Sequence, residues 1–86
     1  MARNVMILLV GKRKEAAVRV QELLTEYGCE IKTRLGLHEA GDVCSDEGLI
    51  VLELTGSEDR QNELYEKLDK IGCVTVKKEH LCSPSC

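Results

Sequence analysis

Aromatic side chains are nearly missing from this sequence. Its 86 residues include no Phe, no Trp and two Tyr. Any core must therefore be aliphatic, and the scarcity argues against base-stacking platforms of the kind that bind single-stranded nucleic acid. An excess of one charge is missing too. Fifteen acidic residues against twelve basic ones leave a net charge of −3, which argues against a broad nucleic-acid surface. No long apolar run exists. Val5 to Val10 is far shorter than the ~20 residues a bilayer needs. That run lacks a small-residue cleavage site and leads into a charged helix, so it does not read as a signal peptide. The catalytic signatures are missing as well: no Walker loop, no glycine-rich dinucleotide fingerprint, and no Ser-His-Asp order. The expectation is a protein that is not an enzyme. Five cysteines, an odd number, with no secretion signal, read as reduced thiols in the cytoplasm.

What is present is a repeat. Ile7-Leu8-Leu9-Val10-Gly11 opens a helical stretch that ends at Tyr27-Gly28-Cys29. Ile50-Val51-Leu52-Glu53-Leu54-Thr55-Gly56 opens another, ending at Ile71-Gly72-Cys73. The first strand, Val5 to Val10, is apolar on both faces, as a central strand should be. A helix follows over Lys14 to Tyr27, with Ala16, Ala17, Val20, Leu23, Leu24 and Tyr27 on one stripe. Gly28 is expected as its left-handed cap. The second strand, Cys29 to His38, alternates, with Ile31, Thr33, Leu35 and Leu37 on one side. An acidic hairpin, Glu39 to Gly48, leads to a third strand, Leu49 to Leu54. Ser57 is the expected N-cap of a second helix carrying Leu64, Leu68 and Ile71, with Gly72 as the stop. The fourth strand, Cys73 to Glu79, alternates with basic residues.

The order β-α-β-β-α-β predicts one α+β domain of ferredoxin-like type over residues 1–81, with a short cysteine-containing tail at 82–86. It is a two-layer sandwich, an antiparallel four-stranded sheet with two helices on one face. The apolar first and third strands belong in its centre, and the charged second and fourth at its edges. Two helices cover only one face. The other face would carry Leu49, Val51 and Glu53, joined by Met6, Leu8 and Val10 or by Val5, Ile7 and Leu9, according to register. A contiguous aliphatic patch of this kind calls for a second subunit. The expectation is a homo-oligomer, dimer or tetramer, burying that face, with Met6, Leu8, Leu49 and Val51 at the interface, or an edge strand. No membrane or direct nucleic-acid partner is expected.

This layout resembles the iron-only hydrogenase system regulators, small stand-alone domains related to the ACT regulatory fold. The resemblance runs from about Asn4 to Leu81. It rests on the Val-rich first strand, Gln21-Glu22-Leu23-Leu24-Thr25-Glu26-Tyr27, Ile31-Lys32-Thr33-Arg34-Leu35-Gly36, the third strand, and Lys67-Leu68-Asp69-Lys70-Ile71-Gly72 through Val76-Lys77. It implies an ACT-like module that regulates or senses an effector without catalysis. ACT-type domains bind small ligands, often amino acids, at subunit interfaces, and the loop after strand one usually contributes.

In this chain that loop is Gly11-Lys12-Arg13-Lys14. Cations before a helix N-terminus oppose its dipole, and a small anionic effector would reverse that cost. The same residues could also form a solvated turn. Two further groups could hold a transition metal, nickel or zinc, through imidazole and thiolate donors. One is His38 with Cys44, similar to part of the His-x-His and Cys pattern of nickel-responsive repressors, although Gly36 stands where the first His would be. The other is His80 with Cys82 and Cys86. No other cofactor is expected. Cys29 and Cys73, at matched places in the repeat, are expected to fill the core.

Overall fold

The computed structural model describes residues 2–11, 14–37 and 48–84. The chain forms β1 (Ala2–Val10), α1 (Lys14–Glu26), a 3-10 turn (Gly28–Glu30), β2 (Ile31–Leu37), β3 (Gly48–Leu54), α2 (Glu58–Asp69) and β4 (Val74–Cys82). The sheet order is β2-β3-β1-β4, and each neighbouring pair is antiparallel. The two apolar strands occupy the centre and the two charged ones the edges, as their patterns predict.

The side chains of β1 divide by parity. Met6, Leu8 and Val10 are buried against the helices, while Ile7 and Leu9 stay 39% and 40% exposed on the opposite face. Pairing carries this division across the sheet. Met6 lies beside Leu52 and Leu8 beside Ile50, whereas Ile7 lies beside Val51 and Leu9 beside Leu49. A strand that is apolar on both faces thus serves two surfaces: a core and an open sheet. The placement of Met6 and Leu8 at a subunit interface is corrected here. Both are fully buried in the core, and it is Val5, Ile7 and Leu9 that share a face with Leu49 and Val51.

Helix α1 turns Ala16, Val20, Leu23 and Leu24 inward, and Tyr27 follows one turn later with no exposed surface. Ala17, assigned to the same stripe from spacing, faces outward. Helix α2 buries Gln61, Leu64 and Leu68. Ser57 caps it, its Oγ accepting from the Arg60 N–H at 3.4 Å, which satisfies one of the helix's unpaired N-terminal donors. No helix among the described residues is long and apolar enough to cross a membrane.

The structure differs from expectation in several places. A bulge between Ile31 and Thr33 pairs Ile31 with Leu54 and Thr33 with Glu53. The extra residue reverses facing, so Ile31 packs against the core while Leu35 joins the open face. Neither Gly28 nor Gly72 is left-handed. Positive φ falls instead on Gly56 (76°) and Cys73 (69°). Cys29 and Cys73 are both exposed, because each occupies the turn before its strand rather than the strand itself. The buried position near the first turn is taken by Glu30. Strand β4 continues through His80 and Leu81 to Cys82, beyond the end at Glu79 that the sequence pattern suggests.

Leu8 is fully buried in the middle of this core. Leu8→Ala should therefore cost about 2–5 kcal/mol, a large part of a small domain's stability. Urea unfolding monitored by far-UV circular dichroism measures it. A midpoint equal to that of the parent chain would contradict the assignment of β1's inner face.

Candidate functional site

The end of β1 leads straight into the basic turn. Gly11 closes the strand, and its N–H donates to the Cys73 carbonyl at 2.7 Å. A Cβ on Gly11 would sit 3.1 Å from that oxygen and 3.3 Å from the Cys73 Cβ. This close approach accounts for glycine at position 11, and it joins the β1–α1 turn to the α2–β4 turn. Lys14 is the first residue of α1 and is exposed. Lys12 and Arg13 lie outside the described residues. Gly11 thus anchors the end of β1, three residues before the first residue of a 13-residue helix.

Of the metal candidates, His38 and Cys44 lie outside the described residues, as does Cys86. His80 and Cys82 are exposed on β4, two residues apart and so on one side of the strand. Their pairing partners on β1 are Asn4 and Ala2. The His80 Nδ1 lies 2.6 Å from the Asn4 Oδ1, so that ring nitrogen donates to the amide oxygen. Among the described residues no group of three metal donors comes together.

His80 is the outer end of a polar chain that spacing did not single out. The Asn4 Nδ2 donates to the Gln61 Oε1 at 2.8 Å, and the Gln61 Nε2 donates to the Thr55 carbonyl at 3.0 Å. Gln61 is 3% exposed, so its amide needs these partners. The chain ties β4, β1, the turn before α2 and α2 itself. Its signal was in the sequence: Gln61 stands three residues before Leu64 on the apolar stripe of α2, where an aliphatic residue would be expected.

A second constellation joins the helices. The Tyr27 ring is buried, with the Arg60 guanidinium carbon 4.4 Å and the Lys67 nitrogen 5.1 Å from its centroid. Its hydroxyl donates to the Glu63 carboxylate at 3.4 Å. Arg60 Nε reaches the Glu30 carboxylate at 3.3 Å, and Lys67 pairs with Glu26 at 3.4 Å. Partial burial would lower the Arg60 pKa, but the bond and charge of Glu30, with Tyr27 and Glu63, outweigh it and raise it. Lys67 is also raised, first by its bond with Tyr27 and then, against desolvation, by Glu26. A raised lysine stabilises the fold fully below its ordinary value, and the contribution is lost as pH climbs through the raised one.

No protein-family model matches the chain, and no curated protein matches it. Among solved structures, the uncharacterized protein TM1266 from Thermotoga maritima superposes with a TM-score of 0.82 at 26% identity, over 95% of this chain and 100% of that one. The ACT domain of GTP pyrophosphokinase from Chlorobium tepidum gives a TM-score of 0.68 at 14% identity, over 90% and 96% of the two chains. The fold is ferredoxin-like and of ACT type. A Thermus thermophilus protein described as PII-like in signalling shares it, with a TM-score of 0.62 at 14% identity over 94% and 88% of the chains.

Glu30 is nearly buried while its partner Arg60 is about half exposed. Glu30→Gln keeps the shape and removes the charge. It should cost about 1 kcal/mol, between an exposed pair and a buried one. Chemical denaturation at neutral pH gives this value, and a stabilised variant would contradict the role assigned to the pair.

Proposed function

We infer that this chain is a non-catalytic regulatory module that binds a small anionic effector at Gly11-Lys12-Arg13-Lys14. One observation carries the reading. The basic residues fall in sequence between the end of a central strand, where Gly11 bonds the Cys73 carbonyl at 2.7 Å, and the N-terminus of α1 at Lys14. A helix N-terminus with adjacent cations attracts phosphate or carboxylate. The fold is shared with an ACT domain and with a PII-like protein, which supports regulation over catalysis. The finer reading, that the regulated system is an iron-only hydrogenase system, is supported by the sequence resemblance alone.

The competing reading is a nickel or zinc site, using His80 and Cys82 with Cys86, or His38 with Cys44. A pure assembly module without ligand is the third.

A thermal-shift screen of metabolites, nucleotides and divalent metals separates the three. For the effector reading, an anionic compound stabilises the protein, by about 2.7 kcal/mol at a hundredfold excess over Kd. Replacing Lys12 and Arg13 together with Ala abolishes the shift. A shift that survives the double substitution sinks the proposed site. Stoichiometric metal in protein purified without chelator favours the metal reading, and no response to any compound favours assembly alone.

A further inference from the structure

We propose that His80 and Cys82 form a two-donor site for copper(I), with the His80 ring set for the metal by a one-way chain of hydrogen bonds. The direction of that chain is fixed at its inner end. The Thr55 and Gly56 carbonyls only accept, so the Gln61 Nε2 that reaches them at 3.0 and 3.4 Å is the donor. Gln61 therefore presents its oxygen to Asn4, whose Nδ2 donates to it at 2.8 Å. Asn4 in turn presents its own oxygen to His80, 2.6 Å from the ring Nδ1. Nδ1 must then carry the hydrogen. In the neutral ring this leaves Nε2 with a lone pair and no proton. A histidine that ligates a metal through one ring nitrogen is held by a bond of this kind at the other. Gln61 is 3% exposed, so its amide cannot turn over without losing buried bonds. The chain is thus rigid where it begins and ends at an exposed ring.

Cys82 supplies the second donor. It lies two residues beyond His80 on β4, on the same side of the strand, and its thiol is free and exposed. That side is the helix side of the sheet, since Val76 of the same parity is buried. Lys78, next in the row, bonds Asn62 of α2, which ties its ammonium group to the helix. Opposite Cys82 on β1 stands Ala2, with only a methyl group. Strand residues two apart are roughly 7 Å from each other, a gap that an imidazole spans toward a shared ion. Thiolate is a soft donor and selects copper(I) over harder ions. Copper(I) has a closed shell and accepts two donors in a near-linear arrangement, so the pair completes its coordination. Zinc and nickel take four or more ligands, which the pair alone does not supply. On binding, the Cys82 thiol gives up its proton while Nε2 has none to lose, so one proton leaves per copper. This site needs neither Cys86 nor His38. It also stands apart from Gly11–Lys14: His80 is opposite Asn4, whereas Gly11 follows Val10 at the other end of β1. Loss of one site therefore leaves the other intact.

Anaerobic titration of the full chain with copper(I), in competition with bicinchoninate, tests the site. Other thiols are removed first by Cys29→Ser, Cys44→Ser, Cys73→Ser and Cys86→Ser. This variant should take one equivalent of copper and release one proton. Adding His80→Ala or Cys82→Ser should bring the uptake well below one equivalent. Asn4 is a positioning residue, and Asn4→Leu should weaken the affinity about tenfold. A folded variant that takes no copper overturns the proposal, and so does binding that His80→Ala leaves unchanged. Should the substitutions unfold the chain, heteronuclear NMR of the ring nitrogens in the unmodified protein decides. At a pH where the His80 ring is neutral, the hydrogen must sit on Nδ1, and copper(I) must shift the Nε2 signal. A hydrogen on Nε2, or an Nε2 signal that copper leaves in place, overturns the site. Asn4→Leu should move the hydrogen toward Nε2, a change that lost stability alone does not produce.

Discussion

The parity of β1 governs the rest of the molecule. Because side chains alternate along a strand, one choice of register sends Met6, Leu8 and Val10 into the core and Val5, Ile7 and Leu9 to the other side. A slip of one residue would exchange the two sets. Both sets are aliphatic, so hydrophobicity alone does not fix the choice. It is fixed by the partners: β3 on one side and β4 on the other, each paired residue by residue with β1. Polar contacts reinforce it. Asn4 points the same way as Met6 and bonds Gln61, while Arg3 points the other way and bonds Glu53. A shifted strand would leave the buried Gln61 amide without that partner, and unsatisfied buried amides are costly.

Above this sheet the helices are held by a small aromatic and ionic clamp rather than by aliphatic packing alone. Tyr27 stands at the end of α1 with its ring against the side chains of Arg60 and Lys67 from α2. In a chain so poor in aromatics, the single fully buried ring supplies a large apolar area and a polar tip together. Its cation contacts add to that area when partly shielded from water. Glu30 completes the clamp from the 3-10 turn and lies beside Gly56, where a Cβ would meet its carboxylate in ordinary contact at 3.8 Å; glycine suits that position through its positive φ of 76°.

Much of the architecture was legible in the sequence because periodicity reports burial. The two-sided apolarity of Val5–Val10 and Leu49–Leu54 placed those strands in the centre, and charges on the other two placed them at the edges. Ser57 announced its helix. The misreadings arose where one residue changes parity or a turn intervenes. The bulge after Ile31 is invisible to a period-two reading, so Ile31 and Leu35 were assigned to one face and lie on two. Which parity of β1 faces the helices could not be read, since Met6-Ile7-Leu8-Leu9 offers an aliphatic residue at every step. Cys29 and Cys73 followed helix-stopping glycines, but the turns continue for one or two residues and leave both thiols in water. The site was less legible. Gly11 gave a clear signal through its place between strand and helix, whereas the link from Asn4 to Gln61 joins residues 57 apart in sequence, and the polar residue on the α2 stripe signals only one end of it.

The pairing of β1 with β4 reaches from Ala2 opposite Cys82 to Val10 opposite Val74. The strand of this sheet that leaves the ribosome first is therefore matched along its whole length with the one that leaves last. Until β4 emerges, β1 has one partner, and its second edge is a row of unsatisfied amides beside aliphatic side chains. Chains are made from the N-terminus at ~5–20 residues per second, and strands this distant in sequence close slowly. The sheet is consequently completed after translation of the domain rather than during it. The nascent chain must carry its most apolar segment through that interval with half of its hydrogen bonds unmade.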